Sequence, residues 1–304
     1  MKLNLLKFKT VAIITVFCLT AVFYSCKSDG DNVEDAIDDV IGLEDDLAND
    51  FNKAKQVFYS LPSPIETAML MKRAGAKYNE EYLNKIENLS NYTTSKSMSL
   101  NLGVYSADLS FASMFDQSQS TIKYLTATKK LAEELGILNA IDQTIIERME
   151  KNVNNRDSLM EIISETFMNS NSFLKENDRA ETAAIILVGG WLEGLYIATK
   201  ITMTTSSNKE LVERIIDQRL SLSTLISLLN EYPDDENVIS LKPELEKLKT
   251  IFDQVQVSSS QIEAVTEDGS SVTTLKSHTE TSISPEVFEK LCSTIEQIRN
   301  EITK

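Results

Sequence analysis

The chain has 304 residues, of which 30 are basic and 46 acidic, so its formal net charge at pH 7 is −16. A balance this acidic argues against binding to nucleic acid and against an electrostatic hold on anionic lipid. The only histidine is His278, which excludes Ser-His-Asp and Cys-His catalysis in the body of the chain and any zinc site with several imidazoles. We therefore predict no cofactor, no metal and no nucleic-acid partner.

Residues 1–25 have the pattern of an export signal. A basic start with three lysines precedes an apolar run over residues 10–24, which is too short to span a bilayer comfortably. Small Ser25 then precedes Cys26, and this segment resembles the lipobox of bacterial lipoproteins. We predict a signal peptide over 1–25 and a mature chain whose Cys26 carries lipid such as palmitate. Cleavage nearby by the ordinary signal peptidase is the alternative.

Residues 26–49 are predicted to form an acidic tether. Residues 27–50 contain ten acidic side chains and one basic one, and segment 26–31 (CKSDGD) resembles the surface-export signal of Bacteroidetes lipoproteins. Without its signal peptide the chain keeps 27 basic and all 46 acidic residues, a net charge near −19. We expect an outer-membrane protein held by the lipid on Cys26, on the periplasmic or the outer face.

Residues 50–304 are predicted to form a single helical domain. The whole chain has only nine glycines and five prolines, and apolar residues recur at helical spacing over long stretches. The predicted fold class is all-α, a bundle of antiparallel helical hairpins. From cap signals and periodicity we predict helices over 64–75, 99–115, 117–135, from 142, over 156–175, 183–201, 210–229, 243–252 and from 285 nearly to the C-terminus.

The stretch 255–282 breaks the helical pattern. It is rich in Val, Thr and Ser, and an Asp-Gly pair at 268–269 lies between β-branched arms. This is a strong hairpin signal, so we predict a two-stranded β-hairpin inserted before the last helix. The alternative is a disordered polar loop.

Two predicted helices, 99–115 and 183–201, are apolar on every side. Such helices are buried in a large core or in a membrane. The second run approaches spanning length, but Glu193 lies at its middle and three glycines interrupt it. We therefore predict that both are central helices of the core.

These central helices carry the polar side chains that form our candidate site. Lone carboxylates among apolar neighbours are costly unless they are paired or protonated. One interpretation is a set of buried bridges to Arg148, Arg156, Arg179 or Arg214. The other is a pocket for a cationic or polyhydroxyl ligand; a hydrolase with a carboxylate pair ranks third. The candidate residues are Asn101, Tyr105, Asp108, Trp191, Glu193 and Tyr196.

Several stretches resemble an uncharacterised family of helical lipoproteins from Bacteroidetes. The resembling stretches are residues 62–66 (PSPIE), 100–109 (LNLGVYSADL), 155–159 (NRDSL) and 189–193 (GGWLE). The resemblance implies a helical lipoprotein with a late hairpin and no activity that is carried over. We expect a non-enzymatic envelope protein with a structural or interaction role, for which another envelope protein is the candidate partner. The alternative is a small-ligand-binding lipoprotein.

Overall fold

The computed structural model describes residues 64–73, 75–138, 143–204, 209–259, 263–266, 273–276 and 279–304. They belong to one compact unit, Ala54–Lys304, and the chain's other unit is Met1–Lys53. The predicted signal peptide, Cys26 and the acidic tether lie outside the described residues. So do Ser63, the 267–269 turn and His278, and what was inferred for these positions stays a prediction.

The described part of the chain is all-α with a small β-hairpin, which confirms the predicted fold class. Two short 3₁₀ helices, Glu80–Tyr82 and Ile86–Asn91, lie between the first and second α-helices. The α-helices in chain order are α1 (Pro64–Arg73), α2 (Ser95–Met114), α3 (Ser118–Glu134), α4 (Gln143–Lys151), α5 (Arg156–Glu176), α6 (Ala180–Thr204), α7 (Lys209–Leu229), α8 (Glu236–Phe252) and α9 (Pro285–Ile302).

Local signals explain where several helices begin and end. Helix α2 begins four residues earlier than predicted because Thr94 and Ser97 form a reciprocal capping box. Ser284 caps the backbone N–H of Val287, and Pro285 occupies the start of α9 as its sequence predicts. Gly136 follows α3 with φ at +69°, a left-handed conformation that favours glycine at a helix end.

The predicted start of α8 at Pro243 is wrong. The helix begins at Glu236, and Pro243 lies inside it. Asp235 provides the N-cap, since its carboxylate accepts the backbone N–H of Val238 at 2.9 Å. A proline indicates the first turn of a helix only when no N-cap residue precedes it. Here burial of Val238 and Leu241 stabilises a helix that begins earlier and continues past Pro243.

Helices α2 and α6 form the centre of the core, as predicted. Gly103 and Gly189 let their backbones touch: a Cβ on Gly103 would lie 2.6 Å from the backbone nitrogen of Gly190, and one on Gly189 would lie 2.8 Å from the carbonyl carbon of Leu100. Helices α1, α5 and α9 contact both central helices, while α3 packs on α2 and α7 packs on α6.

Helix α6 is the one described helix long and apolar enough to cross a membrane. Its most apolar window has a mean hydropathy of 1.5, yet 89% of that window is buried inside the protein. Burial of this kind is what a core helix of a globular domain shows. The finding agrees with the predicted core position of 183–201.

The predicted hairpin is present in the described residues as two antiparallel ladders. Strand β1 (Gln256–Ser259) pairs with β4 (Thr279–Ser282), and β2 (Glu263–Thr266) pairs with β3 (Thr273–Lys276). Three residues separate β1 from β2 and two separate β3 from β4, so the register of the inner ladder is offset by one residue.

Candidate functional site

A cluster of buried polar side chains lies where α2, α3, α6 and α9 meet the segment 84–92. We call it the buried polar cluster. Each member is enclosed in the core, and the members come from parts of the chain that are distant in sequence. The cluster consists of Asn84, Tyr92, Asn101, Tyr105, Asp108, Tyr124, Glu193, Tyr196 and Arg299.

Glu193 and Arg299 form a bidentate ion pair at the centre of this cluster. The Nε and Nη2 atoms of Arg299 donate to the two carboxylate oxygens of Glu193 at 2.9 and 2.8 Å. The Glu193 side chain is fully buried and that of Arg299 is 10% exposed. The guanidinium also lies 4.6 Å from the centre of the Tyr196 ring. Burial alone would lower the pKa of Arg299, but Glu193 more than offsets that effect and raises it.

Asp108 is the second buried carboxyl group of the cluster. Its Oδ2 accepts the backbone N–H of Asn84 at 3.1 Å. Its Oδ1 is buried and has no hydrogen-bond partner among the described residues. Burial raises the pKa of Asp108 well above its ordinary value, and the neighbouring Glu193 carboxylate raises it further. Arg299 and the Asn84 N–H act in the opposite direction without reversing the shift.

Asn84 connects the irregular segment to the central helices. Its side-chain amide donates to the Tyr92 hydroxyl at 2.9 Å and to Oδ1 of Asn101 at 3.3 Å. Its carbonyl accepts the Tyr124 hydroxyl at 3.2 Å, and the neighbouring Lys85 carbonyl accepts the Tyr105 hydroxyl at 2.8 Å. The backbone carbonyls of Asn84 and Lys85, between the two 3₁₀ helices, thus find donors in helix side chains, and a buried backbone requires such partners.

The same cluster caps the end of α9. The Asn101 amide donates to the carbonyl of Ile302 at 2.7 Å. The carbonyl of Thr303 accepts the Asn88 amide at 3.0 Å and the Tyr92 hydroxyl at 3.1 Å. The last carbonyls of a helix have no partner within it, so these side chains supply the missing donors and hold the end of α9 against α2.

The structure brings five of the six predicted site residues together. Trp191 is the exception, because its indole N–H donates to Gln218 of α7 at 3.0 Å while Glu193 contacts α9. Residues two apart on a helix lie on different faces, so Trp191 does not line the region between Asp108 and Glu193.

The arginine partner is not one of the four that the sequence suggested. Those four contact other groups: Arg148 contacts Glu165, Arg156 contacts Asp157, Arg179 donates to the Leu135 carbonyl and Arg214 contacts Asp217. The signal for Arg299 was present in the sequence, since it follows Ile295 and Cys292 by four and seven residues on the apolar stripe of α9. A charge on such a stripe predicts a buried partner. Asn84, Tyr92 and Tyr124 carry no comparable pattern.

The arrangement encloses both carboxyl groups, and Arg299 pairs with one of them, Glu193. A glycosidase needs two carboxyl groups with a sugar and, in one class, a water between them. Asp108 and Glu193 are both fully buried, and both oxygens of Glu193 bind arginine. No group of three or more potential metal ligands occurs among the residues that the structure describes. The cluster is built as a polar part of the core.

Comparison of the chain with protein-family models, with curated proteins and with solved structures finds no match. The fold therefore defines the class, an all-α bundle with two buried central helices and a small β-hairpin.

Proposed function

We propose that this chain is a non-enzymatic lipoprotein of the bacterial outer membrane, anchored by lipid on Cys26, with a structural or interaction role. The observation that carries the non-enzymatic part is the bidentate Glu193–Arg299 pair, whose charges neutralise each other inside the core. A carboxylate that serves catalysis or ligand binding needs access to its substrate. In this fold the two candidate carboxyl groups, Asp108 and Glu193, are buried among other residues of the protein.

Charge supports the lipid anchor as the means of membrane attachment. A mature chain with 27 basic and 46 acidic residues is repelled by anionic lipid surfaces. The most apolar described helix, α6, is used in the core. Membrane attachment therefore needs a means other than surface charge or helix α6. Lipid on Cys26, followed by the acidic tether, would provide it.

Partner binding in this proposal uses the outer surface. Large apolar side chains that stay about half exposed or more are found on separate elements, as single residues rather than as one stripe. They are Ile122, Met168, Met203, Leu220, Ile239 and Val257. Single exposed apolar residues are ordinary on protein surfaces, so we assign no one face to a partner.

The anchor is tested by expressing the full-length chain in a Bacteroidetes host fed an alkyne-labelled fatty acid. We expect the label on the wild-type chain and its partition into the detergent phase. Cys26→Ser should lose the label, while Cys18→Ser, whose change lies within the predicted signal, should keep it. Label retained by Cys26→Ser would refute lipidation at this residue.

The non-enzymatic role is tested by native mass spectrometry of the full-length chain, purified gently from envelopes in mild detergent. We expect the mass of the lipidated chain, alone or with a second protein. A small molecule that stays bound to wild type and is absent from Glu193→Gln and Asp108→Asn would instead support the ligand-binding alternative.

A further inference from the structure

Three ionisable side chains share one enclosed space in the buried polar cluster, and their charges do not balance when all are ionised. Asp108 and Glu193 would contribute two negative charges and Arg299 one positive charge. The Arg299 guanidinium binds both oxygens of Glu193, and Asp108 has no cation of its own in the described part of the chain. An unpaired buried charge is costly, so one carboxyl group is expected to be neutral.

The hydrogen bonds identify which carboxyl group that is. Both oxygens of Glu193 accept hydrogen bonds from the Arg299 guanidinium, so each already has a donor. Asp108 accepts one backbone N–H at Oδ2, and its buried Oδ1 lacks any donor in the described part of the chain. An oxygen that carries a proton needs an acceptor instead of a donor, and Glu193 is the neighbouring carboxylate that acts on Asp108.

Among the residues that the structure describes, the groups that act on Asp108 from the packed elements include no second cation. Helix α6 contributes Glu193 and α9 contributes Arg299. The remaining neighbours are neutral phenols whose pKa values burial raises further: Tyr105 on α2, Tyr124 on α3 and Tyr78 before the first 3₁₀ helix. Glu80, whose charge acts on both Tyr78 and Tyr124, is a further anion on this side.

We propose that Asp108 and Glu193 form a proton-binding site, in which Oδ1 of Asp108 carries one proton and donates it to the Glu193 carboxylate. With that proton bound, the Asp108–Glu193–Arg299 group is neutral and every polar atom of the carboxyl pair has a partner. Release of the proton to solvent leaves a buried excess negative charge beside Arg299. The docking of α9 on the central helices is therefore tightened by acid and loosened by base.

The sign of the pH effect follows from linkage. A carboxyl whose folded-state pKa lies above its unfolded value gives stability that is complete below the unfolded pKa. That stability is lost as the pH rises through the folded pKa. Between the two values the folded state holds one more proton than the unfolded state. The unfolding equilibrium constant should then increase up to tenfold per pH unit, which corresponds to about 1.4 kcal/mol.

The test compares wild type with Asp108→Asn, whose amide imitates a protonated acid in shape and donor capacity. The full-length chain in mild detergent is unfolded in urea at a series of pH values from 5 to 9. We expect the stability of the wild type to fall relative to that of Asp108→Asn as the pH rises. The ratio of their unfolding equilibrium constants should change by up to tenfold per pH unit. Glu296→Gln, which changes a carboxylate at the surface of α9, should keep the wild-type slope. Equal slopes for wild type and Asp108→Asn would overturn the proposal.

A second measurement on the folded wild type does not depend on how the variant folds. Infrared spectroscopy at pH 7 should show the C=O stretch of a protonated carboxyl group, because exposed carboxylates are ionised at this pH. The band should shift in deuterated buffer and be absent from Asp108→Asn. A wild-type spectrum with no protonated carboxyl at pH 7 would show that the pair holds no proton and would refute the proposed site.

Discussion

Two adjacent glycines of α6 make a matched test of how closely the central helices approach. A Cβ on Gly189 would lie 2.8 Å from the carbonyl carbon of Leu100 and would overlap the carbonyl oxygen. A Cβ on Gly190 would lie 3.3 Å from the carbonyl oxygen of Gly103, which a shift of a few tenths of an ångström relieves. Both positions are helical, so Ala at either gains about the same helix propensity.

The magnitudes follow from these contacts. Ala in place of Gly inside a helix gains about 1 kcal/mol. Overpacking costs about 1–3 kcal/mol, and the upper end applies at Gly189 because the obstacle is backbone rather than a movable side chain. We therefore expect Gly189→Ala to lose about 2 kcal/mol of unfolding free energy and Gly190→Ala to change it by less than about 1 kcal/mol. The two variants should therefore differ by about 1–3 kcal/mol, which at about 2–4 °C per kcal/mol for a domain of this size is a Tm difference of roughly 2–12 °C.

Urea unfolding followed by circular dichroism measures these free energies. The chain's one tryptophan, Trp191, provides a second probe in the core, and agreement of the two transitions supports a two-state reading. Gly103→Ala should behave like Gly189→Ala, since its Cβ would meet Gly190 from the opposite side. Equal stabilities for Gly189→Ala and Gly190→Ala would refute backbone contact between α2 and α6 at this point.

Three further predictions concern single side chains. Glu193→Gln breaks a buried ion pair and should cost about 3–5 kcal/mol in urea unfolding, whereas Glu296→Gln, 42% exposed, should cost at most about 1 kcal/mol. Tyr92→Phe removes a donor from the buried Thr303 carbonyl and should lower the unfolding free energy by about 1–3 kcal/mol. Tyr82→Phe loses only an exposed hydroxyl contact and should leave the unfolding free energy nearly unchanged. A larger loss for Tyr82→Phe than for Tyr92→Phe would contradict the buried hydrogen-bond network. Burial raises the pKa of Cys292 to about 11, so a thiol reagent at pH 8 should modify this residue only after unfolding. Rapid labelling of the folded chain would show that solvent reaches the Cys292 thiol.

The general architecture could be predicted from the sequence because it depends on local patterns. Helices α2 and α6 are apolar all round over a helix length, and nothing but a core or a membrane accommodates such a surface. The Asp-Gly pair between β-branched arms likewise predicted paired strands, which the described ladders confirm. These signals act over a few residues and need no knowledge of the tertiary fold.

The partners within the buried polar cluster could not be predicted in the same way. Arg299 lies 106 residues from Glu193, and only tertiary packing selects it over the four arginines that the sequence also offers. Asn84 lies in a segment without helical or strand periodicity, so its hydrogen bonds to Asp108 and Tyr92 depend on how α2 approaches it. The sequence therefore identified Asp108 and Glu193 as candidate carboxylates, but it did not identify the groups that contact them.

The polar character of this cluster is better explained by specificity than by stability. Replacing a buried ion pair by well-packed apolar residues is often neutral or stabilising, so Glu193 and Arg299 are not needed simply to fill the core. Apolar helix faces, however, tolerate sliding, so apolar contacts alone would hold α9 on the central helices with little axial specificity. A shift of α9 by one residue would move Arg299 by about 1.5 Å along the axis and rotate it by about 100°, which would break the bidentate pair. The same shift would take the carbonyl of Ile302 away from Asn101. The cluster therefore admits one axial position and one rotation of α9, and the shared proton adds the condition that this docking is strongest when Asp108 is neutral.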